Sequence, residues 1–232
     1  METLLLKFSG PLQSWGTGSH FETRHTDLYP SKSGVIGLLA ACLGYKRNDD
    51  KRMQSLNRLH FAVRIDQAGT ISRDYQTAHA YEPKPRTYVT NRYYLEDAVF
   101  VIAIGHEDED WVDQIEEGLT HPYFQPFLGR RSAVPLYDFI LKKTNKDVLS
   151  SLKEEAWQAA EWYKRRFSDT TDKLTIYMDS DLMPSLPTTL RKDHVVSFDT
   201  RGREYVYRTE VKTYMDLPRL QIDHDAFAAL GG

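Results

Sequence analysis

The chain has 232 residues, 41% of them hydrophobic and 27% charged, and a formal net charge of −3; this is an ordinary globular composition and argues against a disordered chain. That charge excludes a uniformly basic nucleic-acid binder but leaves room for a local basic stripe, and a single cysteine, Cys42, excludes a disulfide framework or a cysteine-rich zinc site. A reducing, cytoplasmic setting is therefore expected, and with no apolar run approaching membrane length, neither processing nor a membrane role is expected.

Residues 2–9 alternate loosely and meet Gly10-Pro11, which predicts a first strand ending in a turn, because proline has no ladder donor. The turn, GPLQSWG over 10–16, carries an amide and an indole that a connection does not need. Gln13 is a candidate for holding a ribose or base edge, and Trp15 for stacking on a base or anchoring the following loop. Next, Val35, Leu38, Leu39, Cys42 and Leu43 recur at helical spacing, with Ser31 or Ser33 as the cap and Gly44 as the close. The start of that helix, Ser31-Lys32-Ser33-Gly34, presents amide donors suited to a phosphate or simply to its own cap; the glycine-rich pattern of an NTPase loop is absent.

His60–Asp66 and Ala98–Ile104 read as strands. Between them, Arg73, Lys84, Arg86 and Arg92 interleave with Tyr75, Tyr81, Tyr88, Tyr93 and Tyr94, with too few aliphatics to build a core. Cations for phosphates and tyrosine faces for unstacked bases suit single-stranded RNA; the other reading is a solvated hairpin whose tyrosines cover a neighbouring surface. Trp111, Ile115 and Leu119 then mark a second amphipathic helix. Strand, helix, strand, strand, helix predicts an α+β, ferredoxin-like (RRM-like) fold, with its fourth strand expected within Tyr123–Leu128. Gly129-Arg130-Arg131-Ser132 comes next, two guanidinium forks suited to phosphate oxygens or to surface ion bridges.

Past residue 135, Val148–Phe167 looks helical and Leu174–Met178 and Glu204–Thr213 look like strands. The expected organisation is a ferredoxin-like domain over 1–135, with a thumb hairpin at about 73–95, and a smaller β-rich C-terminal domain or elaboration over 136–232. The eight histidines show no H-E-x-x-H, H-x-H or cysteine-paired spacing, and no G-x-S-x-G elbow occurs, so neither metal nor cofactor is expected. His20 and His25 share a loop with Arg24 and Tyr29, the ingredients of a metal-independent ribonuclease or merely exposed polar residues.

Together GPLQSWG, the Arg24 loop, PSKSGVIGLLAACLGY, FAVRID, RDYQT, NRYYL at 91–95 and FLGRRS resemble, in order and spacing over about residues 1–135, the Cas-five family of repeat-associated RAMP proteins in its type I-E CRISPR form. Beyond residue 135 only patches such as Leu186-Pro187 match. The resemblance implies a thumb inserted before the third strand, at the tyrosine-arginine tract. It also implies a subunit that caps one end of the surveillance complex Cascade, holds the 5′ handle of the CRISPR RNA, touches a backbone subunit and the large subunit, and meets target DNA indirectly. By motif position Arg92 matches the thumb arginine, and Arg24, Lys32, Arg73, Arg130 and Arg131 fall on segments lining the handle. With Gln13, Trp15, Ser33, Tyr75, Arg86 and Tyr94 these are the expected RNA contacts. Type I-C members cut precursor RNA with a tyrosine, lysine and histidine set that is not placed on this sequence, whereas in type I-E a separate subunit does the cutting; the type I-E resemblance therefore implies a non-catalytic RNA scaffold. The alternative is a metal-independent endoribonuclease using His25 or His79 near Tyr29 or Lys32.

Overall fold

The computed structural model describes residues 1–18, 22–79, 87–167 and 170–217. The first half runs β1 (Glu2–Ser9), β2 (Leu12–Gln13), β3 (Thr23–Arg24), α1 (Lys32–Cys42), α2 (Asp50–Ser55), β4 (His60–Gln67), β5 (Thr70–His79), β6 (Thr87–Glu96), β7 (Val99–His106) and α3 (Glu109–Thr120). The second half adds β8 (Ile140–Thr144), α4 (Val148–Glu154), α5 (Glu161–Phe167), β9 (Lys173–Asp179), β10 (Thr188–Ser197) and β11 (Glu204–Asp216).

Seven strands form one antiparallel sheet in the order β10-β11-β9-β4-β7-β1-β8. Its β4-β7-β1-β8 portion, with α1 in the connection from β1 to β4 and α3 in that from β7 to β8, has the order of the split β-α-β fold. Leu4, Leu6, Phe8, Phe100, Ile102 and Ile104 pack on one face beneath α1 and α3, while Leu5, Val101 and Ala103 pack on the other against α4. Burial on both faces is why β1 and β7 read as near-continuous apolar runs, where one solvated face would give alternation. Each fully buried leucine or phenylalanine contributes roughly 1.5–3 kcal/mol. Ser31 caps α1 by accepting the Gly34 amide at 3.2 Å, and Gly44, at φ +72°, turns the chain out of the helix. Among the described residues no helix is long and apolar enough to cross a membrane.

Two expectations about local structure are corrected, and one strand is added. The fourth strand is β8, at Ile140–Thr144, and not a segment of Tyr123–Leu128. The earlier segment is committed elsewhere: the Tyr123 and Phe124 amides donate to the carbonyls of Cys42 and Ala41, closing the end of α1. The helical stretch expected over 148–167 breaks into α4 and α5, because buried Arg64 draws the carbonyls of Leu152, Glu155 and Ala156 onto its guanidinium. Finally, β10 is an additional strand that the sequence pattern does not mark, and the strands after residue 135 hydrogen-bond into the same sheet as the first half, β8 at one edge and β9 to β11 towards the other.

The described residues of the tyrosine-arginine tract lie on the paired strands of the β5–β6 hairpin, with β5 along one edge of β6 and the short β2 and β3 pairing in turn with the other. Most of β5 and the outer end of β6, Thr87 to Val89, are exposed.

Candidate nucleic-acid interface

Strand register sorts the candidate residues by face. Arg92 on β6 is paired with Arg24 on β3 and with Asp74 on β5, so all three share one face, and Tyr94 lies two residues along on the same side. Arg130 reaches this face from its loop, its guanidinium 6.0 Å from the centre of the Tyr94 ring. Arg73 and Tyr75 are displaced by one residue in register and belong to the opposite face. There Arg73 Nε donates to Asn91 Oδ1 at 2.9 Å and sits over the Tyr75 ring, while His25 stacks on Tyr93 at 5.3 Å. Residues that the sequence groups as one set are therefore separated by the pleat into two.

Arg130 is placed by backbone geometry. Gly129 has φ +83°, and a Cβ there would lie 1.7 Å from the Ser14 carbonyl oxygen. The Ser14 amide donates to Leu128 O at 3.1 Å, Leu128 N to Ala133 O at 2.7 Å, and Ala133 N to Arg130 O at 2.9 Å. The GPLQSWG turn and the FLGRRS loop are thus stitched to each other, with glycine required at the seam. Gly129→Ala is expected to cost at least about 1–2 kcal/mol from the left-handed backbone alone, more once Ser14 is displaced. Thermal unfolding should show the loss, and RNA affinity should fall as Arg130 moves.

The electrostatics of this face are one-sided. Burial pulls the pKa of Arg130 down from its ordinary value; Tyr94 opposes the shift, while Arg24 and Arg92 reinforce it. The Arg130 Nε is buried and has no hydrogen-bond partner among the described residues. Asp74 stands across from Arg92, but its carboxylate accepts the Gln76 amide at 2.6 Å. Among the described residues none of Arg24, Arg92 and Arg130 is held in an ion pair. Mutual repulsion of three guanidiniums is relieved by an anion, and forks aimed at one face suit phosphate oxygens. Arg131 beside them is exposed.

Several expected contacts are corrected by burial. Gln13 is 0% exposed; its amide donates to Ala98 O at 2.8 Å and Phe8 O at 3.3 Å, and its Oε1 accepts the Trp15 indole N–H at 2.9 Å. Trp15 is 2% exposed, stacked on Phe8 and packed over Gly34. Both are a clasp joining the end of β1, the start of β7 and the first turn of α1, with no atom left for a base or ribose. Lys32 is buried too, with Nζ 2.8 Å from Asp179 Oδ2 and its amide donating to Asp193. Ser33 lies in the first turn of α1 with its hydroxyl 3.3 Å from that of Ser31, the actual cap. Arg86, with Lys84 and Tyr81, lies outside the described residues, as does His20.

The described residues named for a ribonuclease make contacts of their own. His79 contacts Thr87 at the outer end of the hairpin, and His25 stacks on Tyr93. Tyr29 donates its hydroxyl to Glu210 at 2.6 Å, and burial drives its pKa far above the ordinary tyrosine range. Among the described residues no group of three or more histidine, cysteine or acidic side chains is arranged to hold a metal.

Residues 3–209 match the family model described as CRISPR-associated protein (Cas_Cas5). The chain belongs to the CRISPR-associated Cas5 family. A curated relative, the CRISPR system Cascade subunit CasD of Escherichia coli (strain K12), is 36% identical over 146 residues, which covers 56% of this chain and 65% of that protein, just under two thirds of its length. Among solved structures, a chain of a CRISPR RNA-guided surveillance complex superposes with a TM-score of 0.76 and 31% identity, covering 93% of this chain and 91% of that one. A crystal structure of a Cas protein gives 0.67 and 29%, covering 94% and 95%. The match to the Cas5 family thus spans most of this chain, including β8 to β10 and the first part of β11, where the sequence motifs thin out.

Proposed function

We propose that this Cas5-family chain is a subunit of a type I-E CRISPR surveillance complex, where it binds and caps the 5′ handle of the CRISPR RNA without cutting it and contacts the backbone and large subunits. The observation that carries the reading is the convergence of Arg24, Arg92 and Arg130 beside Tyr94, on the face of an exposed hairpin. Phosphates of a single strand would satisfy the three guanidiniums, and the Tyr94 ring offers a surface for a base. The similarity to a chain of an RNA-guided surveillance complex supports the same ligand class.

Binding without turnover is supported by the placement of the acid–base groups: His79 is far out on the hairpin, while Lys32 and Tyr29 are committed to Asp179 and Glu210. General acid–base cleavage needs such groups around one phosphodiester. The purified chain, incubated with repeat-derived RNA in EDTA, is expected to retain the RNA intact. Cleavage that disappears in His25→Ala or His79→Ala would overturn the non-catalytic reading in favour of a metal-independent endoribonuclease.

A further inference from the structure

We infer that Arg191, on β10 and remote in sequence from the hairpin, is a positioning residue for Arg24; the inference rests on the handle-binding reading above. Arg24 lies in β3, a strand of only two residues, tied to the hairpin through its pairing with Asn91 and Arg92 and the Asn91 amide bonded to Glu22 O at 2.9 Å. So short a strand does not fix its own side chains; the neighbouring loop has to hold it. That loop, Asp27–Pro30, is gripped by the Arg191 guanidinium. Nη2 donates to Asp27 Oδ2 at 2.9 Å and to Tyr29 O at 3.1 Å, Nη1 donates to Pro30 O at 3.3 Å, and the guanidinium lies 4.0 Å over the Tyr29 ring.

Arg191 is itself immobilised. It is 9% exposed, with Asp193 and Glu210 within ion-pair distance, in a buried lattice that also holds Lys32, Asp179 and Arg208. Lys32 carries the same lattice into the first turn of α1, through its amide on Asp193 and its ammonium on Asp179. On the other side of the loop, Thr26 accepts the Trp15 amide and Asp27 accepts the Thr17 hydroxyl. The loop is therefore held between the GPLQSWG turn and the C-terminal strands, and only the Arg191 side supplies a planar fork that bonds a side chain and two carbonyls together. A lysine would keep the charge but lose that fork and the stacking.

The test uses the purified full-length chain and a single-stranded RNA carrying the repeat-derived 5′ handle, titrated over a range of salt. Arg191→Lys is expected to weaken binding about ten-fold and to lower the salt slope by about 0.7, the loss of one arginine–phosphate contact. In an Arg24→Ala background the same change should cost nothing further. Asp27→Asn, which takes the charge out of one of the three Arg191 bonds from the loop side and leaves the buried lattice intact, should shift affinity in the same direction, again only when Arg24 is present, and covers the case in which Arg191→Lys does not fold. Parental affinity in both variants, or equal losses with and without Arg24, would overturn the positioning role. If Arg92→Ala and Arg130→Ala also leave affinity unchanged, the handle-binding reading falls as well, so the two failures are distinguishable.

Discussion

Replacing Arg92 and Arg130 together with alanine is expected to weaken binding of the 5′ handle RNA roughly hundred-fold near physiological salt, about ten-fold per lost arginine–phosphate contact, and to flatten the salt dependence by about 1.4 logarithmic units. The two guanidiniums share a face with Arg24, and none of the three is neutralised by a carboxylate among the described residues, so their charge is available to a ligand. Arg130 should contribute the more, because its side chain is half-buried and its buried Nε has no hydrogen-bond partner among the described residues. Arg73→Ala is the internal control: that side chain is bonded to Asn91 on the opposite face, so its removal should change this affinity little. Equal losses for Arg73→Ala and Arg92→Ala, or a double variant that binds like the parent, would contradict the assignment of the RNA to the Arg92 face. A filter-binding or anisotropy titration at several salt concentrations reads both quantities.

Arg64→Met is expected to destabilise the fold by about 3–5 kcal/mol, the cost of leaving a buried charge uncompensated. Arg64 is fully buried, pairs with Asp66 at 2.6 and 2.8 Å, and donates to the carbonyls of Leu152, Glu155 and Ala156. Removing it strands the Asp66 carboxylate and three carbonyls that close the gap between α4 and α5. Pairing the change with Asp66→Leu should recover only part of the loss, since the carbonyls, and the Gln158 amide that donates to Asp66 at 2.6 Å, remain unsatisfied. Urea denaturation would show the lowered midpoint. A loss below about 1 kcal/mol would mean that the 152–160 segment finds other partners, contrary to the role given to Arg64.

The position of Arg64 in an alternating strand gives no hint of this. In HFAVRID an arginine at the fifth position reads as a solvent-facing residue of a half-buried strand, yet α4 and the segment after it cover that face. The same limit explains Gln13 and Trp15. Their oddity in a turn is plain from the sequence, but its cause is an internal clasp between β1, β7 and α1. An amide suited to a ribose is equally suited to two main-chain carbonyls, and residue type alone does not choose between them. For Arg130 the local sequence is more informative, because a glycine next to two arginines signals close backbone approach, and Gly129 does meet Ser14.

Features that depend on near neighbours were legible from the residues alone. Apolar runs and spacing set β1, α1, β4, β7 and α3, Ser31 and Gly44 set the limits of α1, and the ordered motifs led to the Cas5 family. Which polar groups face each other was decided in three dimensions. Gln13 finds Ala98 across 85 residues and Lys32 finds Asp179 across 147, and both leave the surface as a result. Packing also decided that Arg24, Arg92 and Arg130 converge while Arg73 turns away, and that β8, beyond the expected segment, completes the sheet beside β1. The physical reason is the same in each case. Periodicity and turn chemistry act over a few residues, whereas the cost of burying a donor, an acceptor or a charge is settled by whichever partner the folded chain brings within hydrogen-bond distance.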